Sequence, residues 1–241
     1  MNKFNSLRNK VVVITGAAGG LGRTVTNDFA KQGAKLILVG RKIDSLATLG
    51  KELDIPQENW IPMAVDLFEK DSAQKLMDAA MSTFGSVDIL VHLVGGWMGG
   101  KSIHQVTEEE ITTMLEQHLW TTFFLSRVFV PRLIENKWGR IIVVSSPNAE
   151  IPPAKGLPYS VSKSAQEALM LTLAAELKGS GVTANIIQVR SIVLNWEHEE
   201  VPSSKKHTGT SPSEISAAIL YLSSQEAGNI NGARIPLYGN P

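Results

Sequence analysis

Short β-branched runs recur along this chain with amphipathic stretches between them, and that alternation restricts the fold more than any other feature. The runs occupy residues 11–15, 35–39, 61–65, 89–94, 140–145, 182–189 and 234–238. Near-continuous apolar runs of this length suit strands covered on both faces. Residues 22–32, 70–84, 108–135, 159–178 and 212–223 carry helical periodicity between them. Strand and helix in strict alternation build βαβ units, and right-handed crossovers turn these into a doubly wound, seven-stranded parallel sheet with helices on both faces, an α/β architecture. Two helix starts are marked locally. Thr107 with Glu110, and Ser211-Pro212 with Glu214, have capping-box spacing. At 241 residues, with no linker, repeat or low-complexity tract, residues 1–241 are read as one domain.

Composition narrows the chemistry. Lys and Arg number 23 against 23 Asp and Glu, which gives no electrostatic reason to expect nucleic acid or an anionic membrane as partner. There is no cysteine, so there is no disulfide, thiolate nucleophile or Cys-ligated metal, and redox chemistry has to come from a cofactor. The apolar run that starts at Val11 is too short for a signal-peptide core, and no stretch approaches the roughly 20 apolar residues of a membrane span. A cytoplasmic protein acting on a small molecule is expected.

The first strand runs directly into Thr15-Gly16-Ala17-Ala18-Gly19-Gly20-Leu21-Gly22, with a helix after it. Glycines at such a turn admit a pyrophosphate to the backbone, where free N–H groups and the positive end of the helix favour its charge. The second strand ends Val39-Gly40-Arg41-Lys42. A carboxylate here would bond a ribose 2′-OH and repel a 2′-phosphate; two cations favour the phosphate, so NADP(H) is expected over NAD(H). Tyr159 and Lys163 lie four residues apart on one helical face, where an ammonium stabilises a phenolate and lowers its pKa. Ser146 ends the fifth strand thirteen residues before the tyrosine.

The Thr-Gly-x-x-x-Gly-x-Gly turn, the strand-end Ser145-Ser146 pair and the Tyr-Ser-Val-Ser-Lys run together resemble the short-chain dehydrogenase/reductase family, over nearly the whole chain from the first strand to Gly239. The resemblance implies a single-domain Rossmann fold with a dinucleotide at the carboxyl ends of the strands. Thr15, Gly16, Gly20, Leu21, Gly22, Asp66 (near the adenine), Leu67, Gly95, Ile192, Tyr159 and Lys163 would form that site. It also implies that Ser146 bonds the substrate carbonyl, Tyr159 transfers the proton, and Lys163 binds the nicotinamide ribose while lowering the tyrosine pKa. Ser145 reads as the last packed residue of its strand. The implied activity is hydride transfer between nicotinamide and a carbonyl or alcohol. Family members pair their long helix and tyrosine helix across two-fold axes, so a homodimer or homotetramer is expected.

Departures from the family pattern set the alternatives. His92-Leu93-Val94-Gly95 replaces Asn-Asn-Ala-Gly, His118 stands where a relay asparagine usually does, and Val189-Arg190 and Leu194 replace a Pro-Gly and a threonine. His118 is either an altered proton relay or a packed helix histidine. These changes also suit a catalytically silent NADP-binding regulatory protein. The segment Gly95-Gly96-Trp97-Met98-Gly99-Gly100, with Gln117 and Trp120, is similar to dihydropteridine reductases, which makes a pterin-like C=N acceptor the rival substrate. Trp120 is expected in core or subunit packing, in a long helix buried on more than one side. Residues 192–210 read as a flexible segment over the substrate, and His198, Glu199 and His207 within it as solvated loop, so no metal is expected.

Overall fold

In the computed structural model, residues 7–194 and 209–239 are described. The elements run β1 (Val11–Thr15), α1 (Gly20–Lys31), β2 (Lys35–Gly40), α2 (Ile43–Glu52), β3 (Trp60–Ala64), α3 (Ser72–Phe84), β4 (Ile89–His92), α4 (Glu108–Leu115), a π-helical turn (Glu116–Trp120), α5 (Thr121–Glu135), β5 (Gly139–Ser145), α6 (Leu157–Glu176), β6 (Val182–Val189), α7 (Pro212–Ser223) and β7 (Arg234–Leu237). The seven strands form one sheet in the order β3-β2-β1-β4-β5-β6-β7. Every pairing is parallel.

Alternate residues of each strand feed two apolar layers. Val12, Ile14, Leu36, Leu38 and Val91 meet Val25 and Phe29 of α1, Leu46 of α2 and Ile219 of α7 on one face. Val11, Val13, Ile37, Val143 and Ile186 meet Leu76 of α3, Phe129 of α5 and Met170 of α6 on the other. This double coverage explains why the strands are apolar throughout rather than alternating. The sequence order of strands reverses between β1 and β4, which opens a crevice at their carboxyl ends.

The doubly wound seven-stranded sheet agrees with the sequence reading, and both capping boxes form: Thr107 with Glu110, and Ser211 with Glu214. Several details differ. Helix α2 carries no strong punctuation and is legible only from its packing on β2 and β3. The third strand begins one residue earlier, at Trp60, because that ring is buried beneath α2. The stretch 108–135 is two α-helices joined by the π-turn, in which Thr121 N donates to Glu116 O, five residues back. Helix α5 is also buried on one side only: Leu125, Phe129 and Leu133 face the sheet, whereas Trp120 and Phe123 are exposed. Trp120 is thus not a core residue; it stacks on Phe124 at the surface. Of the segment 192–210, residues 195–208, with His198, Glu199 and His207, lie outside the described residues.

Candidate active site

The turn after β1 brings backbone to the mouth of the crevice. Gly16 has φ +70°, and a side chain on Gly22 would run into the carbonyl oxygen of Gly16. Both positions therefore demand glycine, the first for its left-handed backbone and the second for close helix-to-strand packing. The first turn of α1 contains no acidic residue, so its N–H groups face the groove with the positive helix end unopposed.

A groove of about 470 Å³ extends from this turn across β2, β3 and β4, lined among others by Gly16, Arg23, Arg41, Lys42, Ser45, Asp66, Leu67, Gly95 and Gln117. Arg41 and Lys42 are exposed at the end of β2. Asp66 Oδ1 accepts from Phe68 N at 3.0 Å, which holds the loop after β3 against the groove. Arg23 and Ser45 are not legible as site residues in the sequence, Ser45 belonging to the unread helix α2; Gln117, which the sequence groups with the Trp97 loop, lies in the π-turn. Thr15 does not reach the groove. It is buried, and its hydroxyl is used by His92 Nδ1 at 2.7 Å and by Leu93 N at 3.1 Å. Ile192 also lies off the groove, in a bridge with Thr210, and Leu194 leans on Gly20.

The second half of the crevice is closed and dense. Ser146, at the end of β5, is buried, with its Oγ accepting from Asn148 N at 3.3 Å. Burial raises the Tyr159 phenol above its ordinary pKa, and the adjacent Ser146 hydroxyl opposes that rise. Ser145 is the last buried residue of its strand. Lys163 is buried, and its Nζ donates to Val144 O and Gln166 Oε1, each at 2.8 Å. Desolvation lowers its pKa to about 7, although the nearby Glu167 carboxylate raises it. The expected lowering of the tyrosine by the lysine is therefore corrected: in this arrangement burial governs Tyr159, and the ammonium is directed at two protein oxygens.

His118 does join this cluster. Its ring meets Tyr159 edge-on at 5.6 Å. Nδ1 lies 3.1 Å from Met114 O, which can only accept, so Nδ1 carries the hydrogen and Nε2 is left as an acceptor toward Gly96 N at 3.4 Å. A side chain on Gly95 would sit 3.3 Å from that Nε2 and 4.0 Å from Lys163 Nζ, so both atoms border one spot at the groove's inner end. His92 has the opposite tautomer. Thr121 Oγ1 donates to Gln117 O at 2.7 Å and so accepts from His92 Nε2 at 3.0 Å, leaving Nδ1 to accept from Thr15. Desolvation first, and Lys163 second, lower His92 to about 3 and His118 to about 2, so both rings are neutral at pH 7. Trp97, on the glycine loop after β4, is 66% exposed.

Among the described residues no group of three or more His, Asp or Glu side chains is placed to hold a metal, and no helix is long and apolar enough to cross a membrane. The groove residues fit a dinucleotide. The turn offers backbone N–H groups and a helix end to a pyrophosphate, and the end of β2 offers cations rather than a carboxylate.

Comparison with known proteins agrees. Residues 10–199 match the family model for short chain dehydrogenases. A short chain dehydrogenase of Pseudocercospora fijiensis is 34% identical over 187 residues, 77% of this chain, which spans 60% of that relative's length. A 1,6-dihydroxycyclohexa-2,4-diene-1-carboxylate dehydrogenase of Acinetobacter baylyi is 28% identical over 99% of this chain and 98% of its own. The crystal structure of a short chain dehydrogenase from Bacillus anthracis superposes with a TM-score of 0.85 at 26% identity, covering 95% of each chain. With the glycine turn, the sheet order and the Ser146, Tyr159 and Lys163 cluster, these matches place the chain in the short-chain dehydrogenase/reductase family, oxidoreductases that act on alcohols and carbonyls with a nicotinamide cofactor.

Proposed function

We propose that this protein is an NADP(H)-dependent oxidoreductase that interconverts a small carbonyl compound and its alcohol, with Tyr159 as proton donor. The observation that carries the reading is a groove with cations at the end of β2 that reaches Gly95, where His118 Nε2 and Lys163 Nζ of the Ser146, Tyr159, Lys163 and His118 cluster lie close by. The cofactor, when bound, supplies the hydride; the protein supplies position and charge. Arg41 and Lys42 would hold the 2′-phosphate, assisted by Ser45, and the turn from Gly16 through Gly20 and Leu21 to Gly22 would receive the pyrophosphate. Ser146 orients the carbonyl oxygen. Tyr159, kept protonated by burial, gives it a proton as it becomes an alkoxide. Lys163 would bind the nicotinamide ribose, with His118 Nε2, the ring's acceptor, beside it near Gly95.

Titration of the purified protein with NADPH and NADH, read by tryptophan fluorescence, tests the cofactor half. Tighter NADPH binding is expected; equal affinities, or tighter NADH binding, would remove the role of Arg41. A second reading, reduction of a flat pterin-like C=N compound, is favoured by Trp97, whose exposed ring is available for stacking. Carbonyl and pterin panels with NADPH separate the two. Binding without turnover of any compound would instead favour a silent regulatory protein. A homodimer or homotetramer formed through α5 and α6 is supported by the exposed Trp120 and Phe123 on that face.

A further inference from the structure

Lys163 is held from an unexpected direction. Its Nζ donates at 2.8 Å to the side-chain oxygen of Gln166, one turn further along α6 and itself buried. The Gln166 amide is in turn anchored on the π-turn. Its Nε2 donates to Thr122 Oγ1 at 2.9 Å, and Thr122 donates to His118 O at 2.6 Å. The directions are forced from the far end. A backbone carbonyl only accepts, so the Thr122 hydroxyl gives its hydrogen to His118 O and has lone pairs left for Gln166 NH2; the glutamine must then turn its oxygen to Lys163. The bond from Thr122 to His118 O spans four residues, so it ties the start of α5 to the π-turn by an ordinary helical back-bond.

We propose that Gln166 is a positioning residue for Lys163, fixing where the ammonium sits and points through Thr122 at the start of α5. The inference rests on the reading of Lys163 as a cation of the cofactor site. With two of its three N–H groups committed to Val144 O and Gln166 Oε1, one remains for the cleft beside Gly95. A neutral acceptor at 2.8 Å also favours the charged amine against burial. The other groups around it are accounted for: the Glu167 carboxylate on α6, itself bound by Gln188 Nε2 and Arg234 Nε; Tyr159; and the neutral rings of His92 on β4 and His118 on the π-turn.

The test is NADPH affinity, by fluorescence, as a function of pH, each variant being compared with wild type at the same pH so that ionisation of the ligand cancels. Wild-type affinity should fall as the pH rises through about 7, where Lys163 loses its proton. In Gln166→Leu this fall should move to lower pH by about one unit, a tenfold change in the ammonium-to-amine ratio at a fixed pH. Thr122→Val, which keeps both Gln166 and Lys163 but removes the anchor, should move it in the same direction by less. Gln166→Glu, which supplies a charged acceptor, should move it the opposite way. Coincident profiles for wild type and folded variants would overturn the proposal, as would a wild-type affinity that does not change with pH. Absence of wild-type binding at every pH would overturn the cofactor reading itself, and this proposal with it.

Discussion

The two ends of the crevice solve different problems. The end near β2 is open, and backbone and exposed cations define it: Gly16, Gly22, Arg41 and Lys42 need only the right loop and the right charge. The end near β5 is closed, and its side chains are satisfied by one another: Lys163 by Gln166 and Val144, His92 by Thr15 and Thr121, His118 by Met114 and Ser162. In the proposed role the first would recognise an anion while leaving it solvated at low cost. The second withdraws three basic groups from water, and desolvation moves all their pKa values downward. Recognition at one end should therefore respond to charge changes, whereas chemistry at the other should respond to pH and to loss of single hydrogen bonds.

The largest effect should come from the closed end alone. Tyr159→Phe removes the proton donor but no groove contact, so turnover should fall by about 10²- to 10⁴-fold while NADPH affinity stays within about twofold. A parallel loss of cofactor affinity in the same titration would show that the two ends are not separable.

The next effect is on stability, and it again belongs to the closed end. Unfolding frees His92 and His118 to take up protons near the ordinary pKa of 6.5, whereas in the fold they do so only near 3 and 2. Through these two rings the unfolded state binds more protons in the acid range, and the stability they contribute is complete above about pH 6.5 and declines below it. Two such groups give a slope of about 2.7 kcal/mol per pH unit between roughly pH 5.5 and 4. Urea unfolding at several pH values measures this, and His118→Asn should remove about half of the slope. A flat profile would mean that the rings are already protonated in the fold.

The smallest effect belongs to the open end. Arg41→Ala should weaken NADPH binding by about 10- to 100-fold, from the loss of charge-assisted hydrogen bonds to the 2′-phosphate, and leave NADH nearly unchanged. Equal losses for both cofactors would shift the arginine from phosphate recognition to support of the groove.

The same division explains what could be read before the fold was known. Strand runs, the glycine turn and the capping boxes at Thr107 and Ser211 are local signals, because each depends on neighbouring residues and a fixed period. Ser146, Tyr159, Lys163 and His118 were legible as a group only through the family pattern. Their roles as neighbours depend on how β5 and α6 meet the π-turn. The family pattern points Thr15 toward the cofactor, yet its hydroxyl turns inward to His92 Nδ1 and Leu93 N. Helix α2, with Ser45 in it, and the π-turn had no punctuation to announce them.

The sequence by itself determined the α/β class, the parallel sheet, the glycine-rich turn after β1 and the cations at the end of β2, since periodicity, glycine placement and charge are written residue by residue. Tertiary structure alone decided that Gln166 holds Lys163, that His92 and His118 take opposite tautomers, and that burial rather than the lysine sets the proton on Tyr159. The physical reason is that hydrogen-bond direction and desolvation depend on atoms brought together from β1, β4, β5, α6 and the π-turn, and no sequence spacing encodes that meeting.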